Sequence, residues 1–210
     1  MRTNNNSLLE KIAYKLGLGI GGVMLAYTLA QNPAMPEEAA KSGLENSLKD
    51  TPSEQKTGRT YSTSKKGLDM IKQFEGYSEK VYSDVAGKKT IGYGHLIKGN
   101  ENYEIIGREE AEQLLIKDMV IAEKAVSNLV SVHLTQNQYD ALVSFVYNVG
   151  RGNFERSTML IKLNSKNYKG ASLEFKRWNK AGGKVVKGLI NRRQKEEVLF
   201  NEVRSKRWNH

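Results

Sequence analysis

The chain's hydrophobic and polar positions fall into three regimes. From Ile12 to Ala30 apolar and small residues follow one another, with Lys15 the one charge. From Gln31 to Ser62 apolar residues are sparse, and no aromatic residue occurs before Tyr61. From Thr63 onward apolar residues recur at helical spacing, interrupted near the start by one short stretch that suits β structure.

The third regime predicts most of the elements. Ser64 is placed to cap a first helix running through Phe74. A β section is expected from Lys80 to Ile97, with Ala86-Gly87-Lys88 as its turn. Gly107 to Leu129 reads as a long helix, acidic in its first turn and carrying Leu114, Leu115, Met119 and Ile121. Thr135 with Gln138 three residues on forms a capping box, which opens a helix reaching Val149, with Gly150 as the stop. Ser157–Leu163, Lys169–Trp178 and Val186–Val203 read as further helices. A small β unit followed by helices predicts an α+β domain over residues 63–210.

The first two regimes do not look like parts of that core. Residues 12–30 would span about 28 Å as a helix, close to the ~30 Å hydrocarbon core of a bilayer. Gly17, Gly19, Gly21 and Gly22 make the run only weakly hydrophobic and a poor soluble helix. Basic residues ahead of it predict a cytoplasmic N-terminus with the rest exported. Residues 1–30 are therefore expected to be an export or anchor segment; cleavage near Ala30 as a signal peptide is the alternative. Residues 31–62 hold Pro33, Pro36 and Pro52 among Glu, Ser, Lys and Thr. They read as a flexible tether.

Composition narrows the chemistry. The absence of cysteine excludes disulfides, thiol nucleophiles and thiolate metal sites. His95, His133 and His210 are far apart and form no ligand pair, so neither a metal nor a cofactor is expected. The net charge of +10 is uneven: residues 1–60 carry +1 and residues 61–210 carry +9. A basic body suits a polyanionic partner, whether nucleic acid, anionic lipid or cell wall. An export segment and the lack of a DNA-binding motif argue against nucleic acid.

The candidate chemistry lies in QFEGYSEKVYSDVAGKKT, Gln73 to Thr90. On a helical projection Leu68, Ile71 and Phe74 define an apolar face, and Glu75 falls between Leu68 and Ile71. Desolvation there favours the neutral carboxyl that a general acid requires. Glu79 lies past Gly76 and is expected in water. Asp84 precedes the expected turn and Thr90 follows it, so antiparallel pairing brings them close. Asp84 could activate a water that Thr90 helps to hold, as glycoside hydrolysis needs. Equally, Asp84 could be a turn-forming aspartate and Thr90 an ordinary strand residue.

A resemblance separates these readings. FEGYSEKVYSDVAGKKTIGYGHL resembles the catalytic region of the phage-type lysozymes, the endolysins of glycoside hydrolase family 24. That family spaces Glu, eight residues, Asp, five residues, Thr, and Glu75, Asp84 and Thr90 match without a gap. The likeness continues through LTQNQYDALVSFVYNVGRGNF, WNKAGGK and GLINRRQKE. It implies a lysozyme-like fold with a small β-containing lobe, a larger helical lobe and a cleft between them. It implies a monomeric N-acetylmuramidase that cuts the β-1,4 bond between N-acetylmuramic acid and N-acetylglucosamine of peptidoglycan. Glu75 would be the proton donor, and Asp84 and Thr90 would surround the attacking water, with inversion at the sugar. Leu96, Tyr147 and Ser157 match positions that line the family's cleft. His95 reads as a supporting or a structural residue.

Residues 12–30 also resemble the signal-anchor-release segments of some endolysins. This implies an enzyme tethered to the host inner membrane and later released to the periplasm, or secreted if the segment is cleaved. A membrane-anchored wall-binding protein without catalysis is the alternative in another class. Lys176-Arg177-Trp178 and Arg192-Arg193 are read as grips for anionic peptide stems or as a solvated helix face with one packed Trp.

Overall fold

The computed structural model describes residues 61–84 and 87–202. The expected anchor over residues 1–30 lies outside the described residues, as does the expected tether apart from Tyr61 and Ser62. Among the described residues no helix is long and apolar enough to cross a membrane.

The first helix among the described residues, α1, runs Lys65–Glu75 with Ser64 as its N-cap, the hydroxyl accepting from the Gly67 amide. Its buried stripe is Gly67, Ile71 and Glu75, four residues apart. Gly67 is required by close approach: a Cβ there would sit 2.8 Å from Asp140 and from Thr63. Gly76 stops the helix at φ 70°, a backbone state that a Cβ disfavours.

A three-stranded antiparallel sheet follows, in the order β1-β2-β3, from Ser78–Ser83, Lys89–Gly92 and His95–Leu96. This is the expected β section. The long helix α2, Arg108–Leu129, leads to α3, Gln136–Val149, opened by the expected capping box of Thr135 and Gln138. Residues 139–146 of α3 are all buried. A helix buried on every side must be packed all round, and α3 is the axis of the helical part. Phe145 sits at its centre, edge-on to Phe175 and Trp178 at 5.4 Å and to Phe154 at 6.3 Å. Short helices α4 (Arg151–Glu155), α5 (Thr158–Asn164) and α6 (Tyr168–Ser172) wrap this axis, and α7, Lys187–Asn201, closes it. The small sheet beside a helical majority is the expected α+β class.

Two expectations differ in detail. Lys169–Trp178 is not one helix: α6 ends at Ser172 and a 3₁₀ turn spans Phe175–Arg177. The break turns Phe175 into the core against Phe145 and Phe200 and leaves Leu173 exposed. Before α7, strands β4 (Lys180–Ala181) and β5 (Lys184–Val185) form a hairpin that the sequence reading omitted. Its Gly182-Gly183 turn has φ of 55° and 76°, the positive values that tight hairpins use.

Four consecutive residues tie the start of the described chain to the helical part. The Tyr61 hydroxyl donates to the Leu134 carbonyl at 2.6 Å, and its ring stacks on Tyr139 at 5.1 Å. The Ser62 carbonyl accepts from Gln136 Nε2. Both the amide and the hydroxyl of Thr63 donate to Glu123 Oε1. The Ser64 amide donates to Asp140 Oδ1 at 2.9 Å and its hydroxyl to Asp140 Oδ2. Gln136 Nε2 also donates to Asp140 Oδ1 at 2.8 Å, and a buried carboxylate that meets three donors is costly to delete, because the donors stay behind. Asp140→Ala is expected to lower stability by about 2–4 kcal/mol in urea unfolding. A loss under about 1 kcal/mol would show that the clamp contributes little.

Candidate active site

Glu75 ends α1 on its buried stripe, 4% exposed. Burial of a carboxylate is costly without a partner. The partner is Arg192 on α7, whose Nη1 donates to Glu75 Oε1 at 2.7 Å. Arg192 is itself 1% exposed. Its Nη2 donates to the Ser144 carbonyl at 3.0 Å, its Nε to Glu196 Oε1 at 3.1 Å, and its guanidinium lies 4.8 Å from the Phe74 ring centre. Burial alone would lower its pKa, but Glu75 and Glu196 outweigh that and the net shift is upward. Arg192 is therefore a permanent cation beside Glu75.

The network continues behind Arg192. Glu196, fully buried, accepts from the Ser144 hydroxyl at 2.7 Å and from Arg193 Nη2 at 3.1 Å, and its Oε2 ion-pairs with Arg193 Nε at 2.9 Å. Arg193 also donates to Asn148 Oδ1 at 2.9 Å and lies over the Phe145 ring. Burial brings its pKa down to about 10, against the pull of Glu196, so it stays charged at neutral pH. The expected surface role of Arg192 and Arg193 is thus corrected. They face inward because α7 packs on α3 along this side, and their charges meet carboxylates there. Lys176 and Arg177 are exposed, and Trp178 packs edge-on against Phe145.

Asp84 and Thr90 come from the sheet. The Asp84 amide donates to the Lys88 carbonyl at 2.9 Å, and its Oδ1 accepts from the Lys88 amide at 2.8 Å. The carboxylate is held by the turn it closes. Thr90 is 3% exposed, and its hydroxyl donates to the Lys88 carbonyl at 3.1 Å. In the ladder Thr90 stands opposite Tyr82 on β1 and opposite Leu96 on β3. Directly paired residues share a face, so Tyr82, Thr90 and Leu96 form one row across the sheet. Asp84 follows the last residue of β1, and its carbonyl accepts from the Gly87 amide at 2.9 Å.

Tyr82 connects the two carboxylates. Burial pushes its hydroxyl up to about 12, and the charges of Glu75 and then Asp84 add to the shift. Both acids therefore lie within electrostatic range of one phenol. Tyr147 on α3 is raised well above the ordinary tyrosine value, first by burial, then by Glu75 and Asp118. The helix end, the sheet and α3 thus bring Glu75, Tyr82, Asp84 and Tyr147 into one electrostatic neighbourhood. Sequence reasoning missed Tyr82 and Glu196 and gave Arg192 a surface role. The signal for the last two was their spacing with Leu189 and Leu199, which fits a core stripe despite the charges.

Other expected residues are placed as follows. Ser157 is buried, and its hydroxyl caps α5 by accepting from the Leu160 amide at 3.1 Å. His95 is buried in the sheet's last strand. Its Nδ1 meets Asp118 of α2 at 2.8 Å and its Nε2 meets Glu101 at 3.2 Å. That ties β3 to α2 and to the loop between them, which is the structural reading. Glu79 is exposed on β1.

Comparison with known proteins bears on the family and the fold. The family model described as phage lysozyme matches residues 72–196. The chain is 46% identical to the endolysin of Bacillus phage B103 over 145 residues, 68% of this chain and 55% of that protein. It therefore spans about half the length of the Bacillus phage endolysins it matches. It is 41% identical to the SAR-endolysin of bacteriophage PS119 over 122 residues, 58% of this chain and 73% of that protein. Among solved structures, the muramidase domain of SpmX from Asticaccaulis excentricus superposes with a TM-score of 0.63 at 35% identity, covering 69% of this chain and 100% of that one. A buried glutamate ending the first helix, an aspartate closing a β turn and a helical body packed around α3 thus come with a family match over most of the described residues: the chain belongs to the phage lysozyme family.

Proposed function

We propose that this protein is a peptidoglycan hydrolase of the endolysin type, cutting the β-1,4 bond between N-acetylmuramic acid and N-acetylglucosamine. The observation that carries the reading is the pair Glu75 and Asp84, one buried against a cation and one held by the turn it closes. Two carboxyl groups in unlike environments are what acid-and-base glycoside hydrolysis asks for.

In the proposed reaction Glu75 gives its proton to the glycosidic oxygen as the bond to the anomeric carbon breaks. Water attacks that carbon from the opposite face and passes a proton to Asp84, so the sugar is released with inverted configuration. Arg192 stabilises the Glu75 carboxylate once the proton has left. Thr90 helps hold the water, and Tyr82 gives the space one polar wall. Leu96 and Tyr147 border the cleft between sheet and helices, and Ser157 shapes it by holding the start of α5. No cofactor takes part.

Residues 12–30 act as the route out: a weakly apolar anchor that holds the enzyme at the host inner membrane and lets it leave for the periplasm. The support is the glycine-rich run, which as a helix would span about 28 Å, and the likeness of the body to SAR-endolysins. The released enzyme works as a monomer.

Two measurements test this. Outer-membrane-permeabilised cells treated with the full chain should lyse. Glu75→Gln and Asp84→Asn should each slow lysis at least ~100-fold while still sedimenting with walls, and Glu79→Gln should match the parent. Wall binding without release of reducing sugar by the parent would point instead to a non-catalytic binder. Mass spectrometry of the membrane fraction should find an intact residue 1–30 segment; a new N-terminus near Gln31 would show signal cleavage instead.

A further inference from the structure

The buried quartet of Glu75, Arg192, Arg193 and Glu196 carries more charge than pinning one glutamate requires. Arg192 alone reaches Glu75, at 2.7 Å. Arg193 and Glu196 do not touch Glu75 in any recorded contact, yet both are all but fully buried. Glu196 bridges the two arginines, taking Arg192 Nε and Arg193 Nη2 at 3.1 Å each, and Ser144 fixes it from α3. With Glu75 ionised the quartet is neutral. With Glu75 protonated it carries one net positive charge.

We propose that Glu196 and Arg193 are positioning residues whose opposite charges set the pH range over which Glu75 can donate its proton. The proposal rests on the reading of Glu75 as general acid. A proton leaves Glu75 more readily the more positive its surroundings. Arg192 by itself contributes one cation, and Arg193 would add a second. Glu196 cancels that addition, and its shared contact keeps the Arg192 guanidinium aimed at Glu75. The other groups that face Glu75 are Tyr82 from β1 and Tyr147 from α3, the latter also within reach of Asp118 on α2. Both tyrosines are held neutral at working pH, because burial raises them. Asp84 acts on the same Tyr82, and Lys195 of α7 lies 5.5 Å from the ring of Phe74, next to Glu75 in the chain. The arginine–glutamate pair behind Arg192 is therefore the adjustable part of the field on Glu75.

The sign follows directly. Removing Glu196 leaves two cations near Glu75, so the proton is lost at lower pH and the alkaline limb of the activity profile moves to lower pH. Removing Arg193 leaves one cation shared between two carboxylates, so that limb moves to higher pH. Removing both restores the balance of Arg192 against Glu75. A structural role would instead lower activity by one factor at every pH and leave the limb in place.

The test is the pH profile of the initial lysis rate at limiting substrate for the purified full chain, with thermal unfolding recorded at each pH. Glu196→Gln should shift the alkaline limb down by about one pH unit and Arg193→Gln should shift it up by a similar amount. The Arg193→Gln, Glu196→Gln double variant should lie within a few tenths of a unit of the parent. If Glu196→Gln does not fold, the upward shift of Arg193→Gln and its cancellation in the double variant decide the matter. Limbs that stay in place, or that move the same way in both single variants, overturn the proposal. Failure of the underlying reading looks different: Glu75→Gln would then retain lysis, whatever the limbs do.

Discussion

The ion pair between Glu75 and Arg192 is the contact on which the rest of this structure depends. It joins α1 to α7 at 2.7 Å, residues 117 positions apart in the chain. Neither side chain could be buried alone, because an unpaired buried charge costs several kcal/mol. Their burial is possible because Glu196 accepts from Arg192 Nε and the Ser144 carbonyl from its Nη2, while the Ser144 hydroxyl holds Glu196. A hydrophobic pair of similar volume would hold the helices together as well or better. Under the proposed function the charges serve the chemistry: they leave a carboxyl at the end of a helix with a fixed cation beside it.

The other half of the site rests on different physics. Asp84 is held by backbone hydrogen bonds across a tight turn, and Thr90 by its place in a three-strand row with Tyr82 and Leu96. These contacts are local, and ladder register places them within a span of twenty residues. Glu75 therefore depends on long-range packing and Asp84 on short-range geometry. Their relative position depends on how α1 meets the sheet. Gly76 sets that junction by leaving the helix at positive φ. At the other end of α1, Asp140 and Glu123 hold Ser64 and Thr63, so the helix is fixed at both ends.

The turn reading and the catalytic reading of Asp84, which the residues alone left open, are compatible. The turn that Asp84 closes also orients its carboxylate. His95 is simpler: contacts to Asp118 and Glu101 at its two nitrogens make it a joint between sheet and helix.

Much of this was legible in the amino-acid order. Ser64 and the Thr135 capping box start their helices where local chemistry dictates, and Glu75 falls on the buried stripe because helical periodicity puts it four residues past Ile71. The β section follows from its turn residues. Those are short-range effects, and a sequence reports them directly. The inward course of Arg192, Arg193 and Glu196 was not legible. Charged residues three and four apart on a helix normally face water, where such pairs are weak and common. Only the packing of α7 onto α3 and α1 supplies partners that make burial tolerable. The split of Lys169–Trp178 has the same origin, since Phe175 leaves the helix to meet Phe145 and Phe200. Sequence alone determined which local elements form, and it nominated the residues proposed for the chemistry on them. Tertiary structure decided which charges are buried together, because the cost of burying a charge is set by partners far away in the chain.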